Sequence, residues 1–369
     1  MHILLLMLLP IGDTLFATPA VHALRKRHPQ ARITALVYPT NKGILENNPD
    51  IDDFLLWPTR QSWPGVRKVL LLFWKLRRSR FDLAVEFCNY IWWVTWLSGI
   101  PRRTEMNLPK MWWVLPWAGR EWRKRHAVEH YSDVVRRLGI PVEDVRLRIH
   151  PDAEEEARAQ AWLDRYGIGP DDLLVGLHLG GEGLWGRKRW GTEGFAWVAD
   201  ALAERLGARI LVMGGKGEAE LAAELVSRTR AGIINATGQT TLGETAALVG
   251  RCALFIGNDS SPLHIAAASG TRLVGIYGPT DPRSYRPWIP GGTEGTDYAV
   301  VRSNLPCACR FALVGGITLA EWVSCLSCPA LETITPEQVL EAAVRVLSGE
   351  GRATNAEVMS AFRPLTPNP

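Results

Sequence analysis

The chain has 369 residues, of which 47% are hydrophobic and 22% charged, a composition typical of a globular protein long enough for two domains. The net charge of +4 is unevenly distributed, because residues 1–150 carry 23 Lys and Arg against 13 Asp and Glu. Ten of the 16 Trp also lie there. A basic, Trp-rich half indicates an anionic partner or a membrane surface. No recognisable nucleic-acid motif is present, which disfavours nucleic acid as a partner.

The first ten residues form an apolar run that resembles the core of a signal peptide, with Ala20-Val-His-Ala23 as its cleavage site. No Lys or Arg precedes this run, although a secretory signal normally begins with one. We therefore interpret it as a buried strand that ends before Ile11-Gly12-Asp13. No other stretch reaches the roughly 18 apolar residues of a membrane span. We expect a cytoplasmic protein, peripheral on the cytoplasmic membrane face.

Strands and helices alternate through the first half. Asp13 follows the first strand, and the next helix is capped either by Asp13 or by Thr18 with Pro19 in the first turn. This alternation predicts a parallel, doubly wound sheet with Asp13 at the carboxyl end of its first strand. The predicted strands are 3–9, 31–37, 54–57 and 81–87, and the predicted helices end at 27 and span 63–80.

The same alternation restarts in the second half, after a predicted linker at 149–152 and a helix at 153–166. Predicted strands are 173–179, 210–213, 253–256 and 273–277, and predicted helices include 195–206 and 336–347. We expect one domain at 1–168, a second at 169–348 and a disordered tail at 349–369. Two such domains face each other across a cleft lined by the carboxyl ends of both sheets.

The most informative stretch is Gly257-Asn-Asp-Ser-Ser-Pro-Leu-His264, which reads as the end of a strand and the start of a helix. Ser260 or Ser261 can cap this helix, with Pro262 at its first position. Gly270 is placed to end it. A helix start lined with hydroxyls suits a phosphorylated or polyhydroxylated ligand. The alternative is an ordinary βαβ unit in which Asp259 serves only as a cap.

Further candidates for the same ligand come from the second half. Gly180-Gly181 allows close backbone approach to phosphate, and Lys188-Arg189 adds positive charge, although the spacing is not that of a P-loop. Glu218 can accept hydrogen bonds from ribose hydroxyls. His264 is equally well explained as a core histidine bonded to backbone.

Four motifs in this order resemble glycosyltransferase family 9, the lipopolysaccharide heptosyltransferases: Ile11-Gly12-Asp13, Lys188-Arg189-Trp190, Gly257 to His264, and Gly278-Pro-Thr-Asp-Pro282. The resemblance covers Met1 to about Leu347 and implies an α/β GT-B fold, with two doubly wound Rossmann-like domains facing a central cleft. The first of these domains would bind the acceptor and the second the nucleotide sugar. It implies inverting transfer of a sugar, heptose from ADP-heptose, to a lipopolysaccharide core or related cell-envelope glycolipid at the inner membrane surface. It implies no obligatory cofactor or metal.

The resemblance also implies residue roles. Asp13 resembles the general base that deprotonates the acceptor hydroxyl, and Lys188 the residue that neutralises the departing pyrophosphate. Asp259 resembles a ligand for donor sugar hydroxyls. Ser261-Pro262 departs from the Gly-Pro usual in relatives. The implied donor-side set is Gly180, Gly181, Lys188, Arg189, Glu218 (with Glu220 as an alternative register), Asp259, Ser260, Ser261 and His264, and the acceptor-side set is Gly12, Arg102 and Arg103.

Two stretches stay open. Residues 90–125 combine Trp with Arg and Lys, and are interpreted either as core Trp with a solvated basic face or as an acceptor cleft or monolayer-touching surface. The second stretch contains a cysteine cluster that predicts a structural metal site bracing a loop, reduced thiols or a disulfide. Its members are Cys307, Cys309, Cys325 and Cys328.

Two rival functions also remain. One is a sugar-nucleotide epimerase or hydrolase of similar fold, which would not need a basic, Trp-rich acceptor half. The other is a non-catalytic nucleotide-sugar-binding protein of envelope assembly, which would release no nucleotide with any acceptor.

Overall fold

A computed structural model describes residues 1–57, 65–88, 92–105, 125–181, 188–303, 305 and 328–349. Several predictions fall elsewhere: most of the Trp-rich stretch 90–125, the clustered Cys307, Cys309 and Cys325, and the tail from 350 onwards lie outside the described residues.

The first half forms a parallel five-stranded sheet in the order β3-β2-β1-β4-β5. Its central strand β1 has five fully buried residues after His2, which is why its sequence is continuously apolar. The strands are β1 (His2–Met7), β2 (Arg32–Val37), β3 (Asp53–Leu56), β4 (Leu83–Glu86) and β5 (Arg102–Glu105). The helices are α1 (Ile11–Arg27), α2 (Pro39–Leu45), α3 (Val66–Arg78), α4 (Trp92–Leu97) and α5 (Ala127–Arg136).

The second half forms a parallel six-stranded sheet in the order β11-β10-β9-β6-β7-β8. The strands are β6 (Leu174–His178), β7 (Arg209–Val212), β8 (Ile233–Asn235), β9 (Leu254–Asn258), β10 (Leu273–Tyr277) and β11 (Tyr298–Arg302). The helices are α6 (Ala153–Arg165), α7 (Thr192–Leu206), α8 (Ala219–Arg228), α9 (Leu242–Arg251), α10 (Ser261–Ala268), α11 (Pro282–Tyr285), α12 (Pro329–Glu332) and α13 (Pro336–Ser348), with a 3-10 turn at Lys216–Glu218 before α8.

The start of α1 differs from both sequence predictions. The helix begins at Ile11 after Pro10, so Asp13 lies in its first turn and is not the N-cap residue. Pro19 lies inside the helix and cannot donate to the carbonyl of Leu15 four residues earlier. The hydroxyl of Thr18 donates to that carbonyl instead, at 2.6 Å. The sequence rule for helix starts failed because a neighbouring hydroxyl compensates for the internal proline.

Helix α6 packs against α9 of the second half. Arg158 of α6 pairs with Glu244, and Arg251 of α9 donates to the side-chain oxygen of Gln160 at 3.0 Å. The predicted domain boundary between residues 168 and 169 stays a prediction. From these contacts we propose that the change of unit falls earlier, between α5 and α6.

The two halves meet where α1 of the first contacts α10 of the second. The ring of Phe16 on α1 lies 4.5 Å from that of His264 on α10, centroid to centroid. In a second contact, the indole Nε1 of Trp288 in the second half donates to the carbonyl of Val145 in the first half at 2.8 Å. Because both sheets direct their carboxyl ends toward this junction, the loops that follow β1, β6 and β9 lie beside one another.

His126 is buried in this junction between Phe16 and Trp288. Its Nδ1 accepts the N–H of Val128 and caps α5, while its Nε2 lies 2.9 Å from the carbonyl of Arg286 in the second half. A neutral ring with its proton on Nε2 makes both bonds. Burial lowers the pKa of His126 to about 3, since a second proton would be desolvated and would break the cap.

We therefore expect the free energy of unfolding to fall as the solution is acidified. The fall should begin at pH values well above the one at which His126 gains a proton in the folded protein. The unfolded chain gains a proton near pH 6.5 and the folded chain does so only near 3, so stability falls as pH drops through that window. At pH 5 the loss is about 2 kcal/mol from this residue. Urea unfolding at pH 7.5 and pH 5 measures it.

The matched variant is His126→Gln, which retains polar atoms and does not titrate. Its unfolding free energy should be lower at pH 7.5 but should change less between the two pH values than that of the parent chain. An equal change in both proteins would contradict a neutral, buried His126.

No helix in the ranges that the structure describes is both long and apolar enough to cross a bilayer.

Candidate functional site

The predicted catalytic residue Asp13 lies half-buried in the first turn of α1, beyond the carboxyl end of β1. Its Oδ1 accepts a hydrogen bond of 2.8 Å from the hydroxyl of Tyr131 on α5. Burial and the neighbouring carboxylate raise the pKa of Tyr131 well above its ordinary value, so the phenol keeps its proton and donates. Tyr131, which the sequence reading missed, fixes the orientation of Asp13.

Across the junction, Asp259 follows β9 and is 5% exposed. Its Oδ2 lies 2.7 Å from Nζ of Lys188, and its Oδ1 lies 3.7 Å from Nε2 of His264. Burial alone would raise the pKa of the Asp259 carboxyl, but Lys188 and His264 outweigh it and lower the pKa well below its usual range. Three of the predicted donor-side residues are thus brought into one charged cluster.

His264 also connects this cluster to the loop of Asp13. A Cβ added to Gly12 would lie 2.7 Å from Cδ2 of His264, so only glycine permits the ring to approach. Within the described chain, Nδ1 of His264 is buried and has no hydrogen-bond partner. The interpretation as a core histidine bonded to backbone is therefore not supported, and its Nε2 faces Asp259.

A second buried cluster joins Ser260, His178 and Glu218. Ser260 Oγ lies 3.0 Å from Nδ1 of His178, whose Nε2 lies 3.2 Å from Oε2 of Glu218. Glu218 also accepts the N–H of Gly215 at 2.7 Å. Burial raises the pKa of Glu218, but these partners and Arg189 reverse the effect, so its pKa is lowered. The carboxylate can only accept, which places the proton of a neutral His178 on Nε2.

Two sequence interpretations change here. Ser260 occupies the predicted N-cap position of α10, but its hydroxyl contacts His178 and the carbonyl of Asn258 and makes no capping bond. Pro262 takes the second helical position, after the half-buried Ser261. His178 was missed altogether, although a polar residue that closes an apolar strand two positions before Gly180 was a usable signal.

Arg189 and Asn258 fix the backbone around the site. The guanidinium of Arg189 donates to the carbonyl of Gly181, with Nε at 2.9 Å. The side chain of Asn258 accepts the N–H of Trp190 and donates to the carbonyl of Leu179, at 2.9 and 2.8 Å. Asn258, which the sequence reading gave no role, holds the strand that leads to Gly180 beside the segment that carries Lys188.

Arg102 and Arg103 do not join the site. They pair with Leu83 and Ala84 at the amino end of the sheet, and Arg102 is close enough to His28, just beyond α1, to contribute to the lowering of its pKa. Asp13 lies at the opposite end of α1, on the order of 20 Å away at 1.5 Å per residue. Their register places them away from Asp13, and their acceptor-side role stays a prediction.

The described residues contain no group of three or more His, Cys, Asp or Glu able to hold a metal ion. Cys328 is buried, and the other three members of the predicted cysteine cluster lie outside the described ranges.

Two parallel-sheet units whose carboxyl ends face a shared charged junction form the GT-B arrangement of glycosyltransferases. The family model for glycosyltransferase family 9 (heptosyltransferase) matches residues 69–310. The chain therefore belongs to glycosyltransferase family 9 and is an enzyme that transfers a sugar from a nucleotide-sugar donor.

Individual relatives agree with this assignment. The chain is 28% identical to lipopolysaccharide heptosyltransferase 3 of Escherichia coli K12 over 299 residues, 75% of this chain and 82% of that protein. The fold is shared with a family 9 glycosyltransferase from Veillonella parvula, with a TM-score of 0.78, 24% identity and coverage of 94% and 97% of the two chains. It is also shared with E. coli ADP-heptose lps heptosyltransferase II, with a TM-score of 0.71, 21% identity and coverage of 95% and 100%.

The packing of Glu218 yields a prediction for Gly180→Ala. The new Cβ would lie 1.5 Å from Oε1 of Glu218, so the carboxylate must move away from His178 and Gly215. We expect a loss of about 1–3 kcal/mol in unfolding free energy, measured in urea, because buried hydrogen bonds to a charged group are broken.

Gly191→Ala is the control, since a Cβ there meets no atom of the described residues within 4 Å and its φ of −60° suits any residue. Its stability should change by less than about 0.5 kcal/mol. If the two alanine variants are equally stable, Glu218 is not held as described.

Proposed function

We propose that this enzyme transfers heptose from ADP-heptose, with inversion at the anomeric carbon, to a lipopolysaccharide core or related cell-envelope glycolipid. The observation that supports the proposal is the close approach of two loops that carry different functional side chains. Asp13 and its partner Tyr131 come from the first half, and the Lys188–Asp259–His264 cluster from the second. The heptose, the ADP and the acceptor are taken from the names of the E. coli relatives.

The second half supplies groups that would stabilise a nucleoside diphosphate as it leaves. Lys188 brings positive charge, and the start of α10 at Ser261 directs backbone N–H groups toward the same loop. Ser260 and Glu218 add hydroxyl and carboxylate groups linked through His178. Charge that develops on the departing diphosphate would be offset by groups already in position, which is the most effective form of electrostatic catalysis.

The first half supplies the proton acceptor. Asp13 would take the proton of the acceptor hydroxyl as its oxygen attacks the anomeric carbon, while the bond from that carbon to ADP breaks. A single displacement of this kind inverts the configuration. Tyr131 donates to Oδ1 and so helps to orient the carboxylate for the transfer. Gly12 and His264 hold this loop against the donor-side loop.

Replacing Asp13 by Asn tests the base. The amide has the same shape and cannot take the proton, so we expect kcat to fall by roughly 10²–10⁴-fold, with donor KM changed little. Release of ADP from ADP-heptose in the presence of lipopolysaccharide core acceptor measures it. Asp133→Asn is the matched control, because that carboxylate lies on α5 among Arg125 and Arg136 and takes no part in the site.

Turnover of Asp13→Asn at the parental rate would remove Asp13 as the base. No ADP release by the parent chain with any acceptor would instead favour the non-catalytic nucleotide-sugar-binding protein. Conversion of the donor sugar without transfer to an acceptor would favour the epimerase or hydrolase.

The donor can be tested without an acceptor. A thermal-shift series with ADP-heptose, another ADP-sugar, a UDP-sugar and a GDP-sugar should show stabilisation by the ADP compounds, and most by ADP-heptose. Ligand binding at 100 times its Kd adds about 2.7 kcal/mol to the unfolding free energy, which shifts the melting temperature measurably. Stabilisation by the UDP-sugar alone would overturn the proposed donor.

A further inference from the structure

Helix α3 exposes apolar side chains that the proposed chemistry does not use. Leu70, Leu71 and Trp74 are 58%, 57% and 57% exposed, and at helical spacing they lie on the outward side of α3. Large apolar side chains that are exposed next to one another usually mark an interaction surface, whereas single exposed ones do not.

The exposure does not come from a poorly packed helix. Val69 and Leu76 on the inner side are 8% and 1% exposed and belong to the core of the first half, with Leu72 packed against it. The spacing of these three residues is that of one helical face. Helix α3 is therefore anchored by its inner face and presents a second apolar face outward.

Basic residues surround the outward apolar face. The helix carries five of them and no acidic residue: Arg67, Lys68, Lys75, Arg77 and Arg78, all exposed. The guanidinium of Arg78 lies over the ring of Trp74, 4.8 Å from its centroid. Alternating Trp, Leu and basic side chains match the boundary between lipid headgroups and acyl chains.

The neighbouring helix α4 extends this surface. Trp96 and Leu97 are 56% and 45% exposed, and the guanidinium of Arg77 on α3 approaches within 3.9 Å of a Cβ placed on Gly99, just beyond α4. We call the exposed side chains of α3 and α4 the α3–α4 surface. It comprises Arg67, Lys68, Leu70, Leu71, Trp74, Lys75, Arg77, Arg78, Trp96 and Leu97.

We propose that the α3–α4 surface docks the protein on an anionic lipid monolayer. The charge of the surface favours lipid over a second copy of the chain. Two copies pairing through this surface would bring their basic residues together, and the surface has no acidic residues to pair with them. An anionic bilayer instead attracts every one of the basic residues and accepts the Trp and Leu side chains.

The position of the surface suits this role. Strand order turns back at β1, so right-handed crossovers place α3 and α4 on the face of the sheet opposite α1 and α2. Helix α1 faces the second half, and α3 and α4 face away from it. Docking through this face would therefore leave the junction between the two halves clear of the lipid.

Vesicle binding by the full chain tests the docking surface. The chain should co-sediment with phosphatidylglycerol-containing vesicles and much less with phosphatidylcholine alone. Leu71→Ser with Trp74→Ser should lower the partition coefficient at least tenfold. Lys75→Gln with Arg78→Gln should lower it by roughly fivefold for each charge removed, and only on the anionic vesicles.

Val226→Ser is the control, because Val226 is an exposed apolar residue of α8 in the second half and should leave binding unchanged. Equal melting temperatures establish that the α3 variants are folded. Unchanged vesicle binding by both double variants would overturn the proposal. The proposal would also be overturned if the parent chain were a dimer and only the Leu71→Ser, Trp74→Ser variant were a monomer, since the surface would then join two copies of the chain.

The membrane role builds on the proposed glycolipid acceptor, but its readout involves no sugar. If the chain binds vesicles through α3 but is not stabilised by ADP-sugars, that result would contradict the proposed function and not the docking surface. The α3 variants should keep the thermal shift with ADP-heptose, and loss of that shift would show that α3 affects the donor site.

Discussion

The close approach of His264 to Gly12 is the contact on which the arrangement of the site depends. One side of the imidazole packs where any other residue at position 12 would place a Cβ, and its Nε2 faces Asp259. The ring therefore sets the separation between the loop that carries Asp13 and the loop that carries Asp259. Phe16, stacked edge-on against the same ring, continues the contact into the core of the first half.

Around that contact, most charged groups of the site are already paired. Lys188 is bound to Asp259, and Glu218 is bound to His178 and the backbone of Gly215. Paired and hydrogen-bonded charges can be buried, whereas single ones cannot without a large desolvation cost. The arrangement keeps the side chains in fixed positions, which is the condition for electrostatic preorganisation.

Much of this could be read from the sequence because local chemistry determines it. Fully apolar strands such as β1 and β10 predicted two parallel sheets, and parallel sheets bring Asp13 and Asp259 to facing edges. The motif from Gly257 to His264 located the start of α10. The resemblance to family 9 was confirmed by the family model.

Other features depend on contacts distant in sequence and were out of reach. Tyr131 meets Asp13 across 118 positions, and His178 meets Ser260 across 82. The register of β5 decides where Arg102 and Arg103 lie, and sequence alone gave no means to set that register. The start of α1 was misjudged because the hydroxyl of Thr18 satisfies the carbonyl that Pro19 leaves unpaired.

The ion pair between Lys188 and Asp259 also bears on which molecules the cleft rejects. A simple phosphate that attracts Lys188 away would leave Asp259 buried without its principal counterion, and that loss offsets much of what the phosphate gains. A molecule bearing both phosphate and sugar hydroxyls can satisfy the cation and the carboxylate together. With the donor-side roles proposed for Lys188 and Asp259, the pair would favour ligands that carry both groups and would discriminate against abundant inorganic anions.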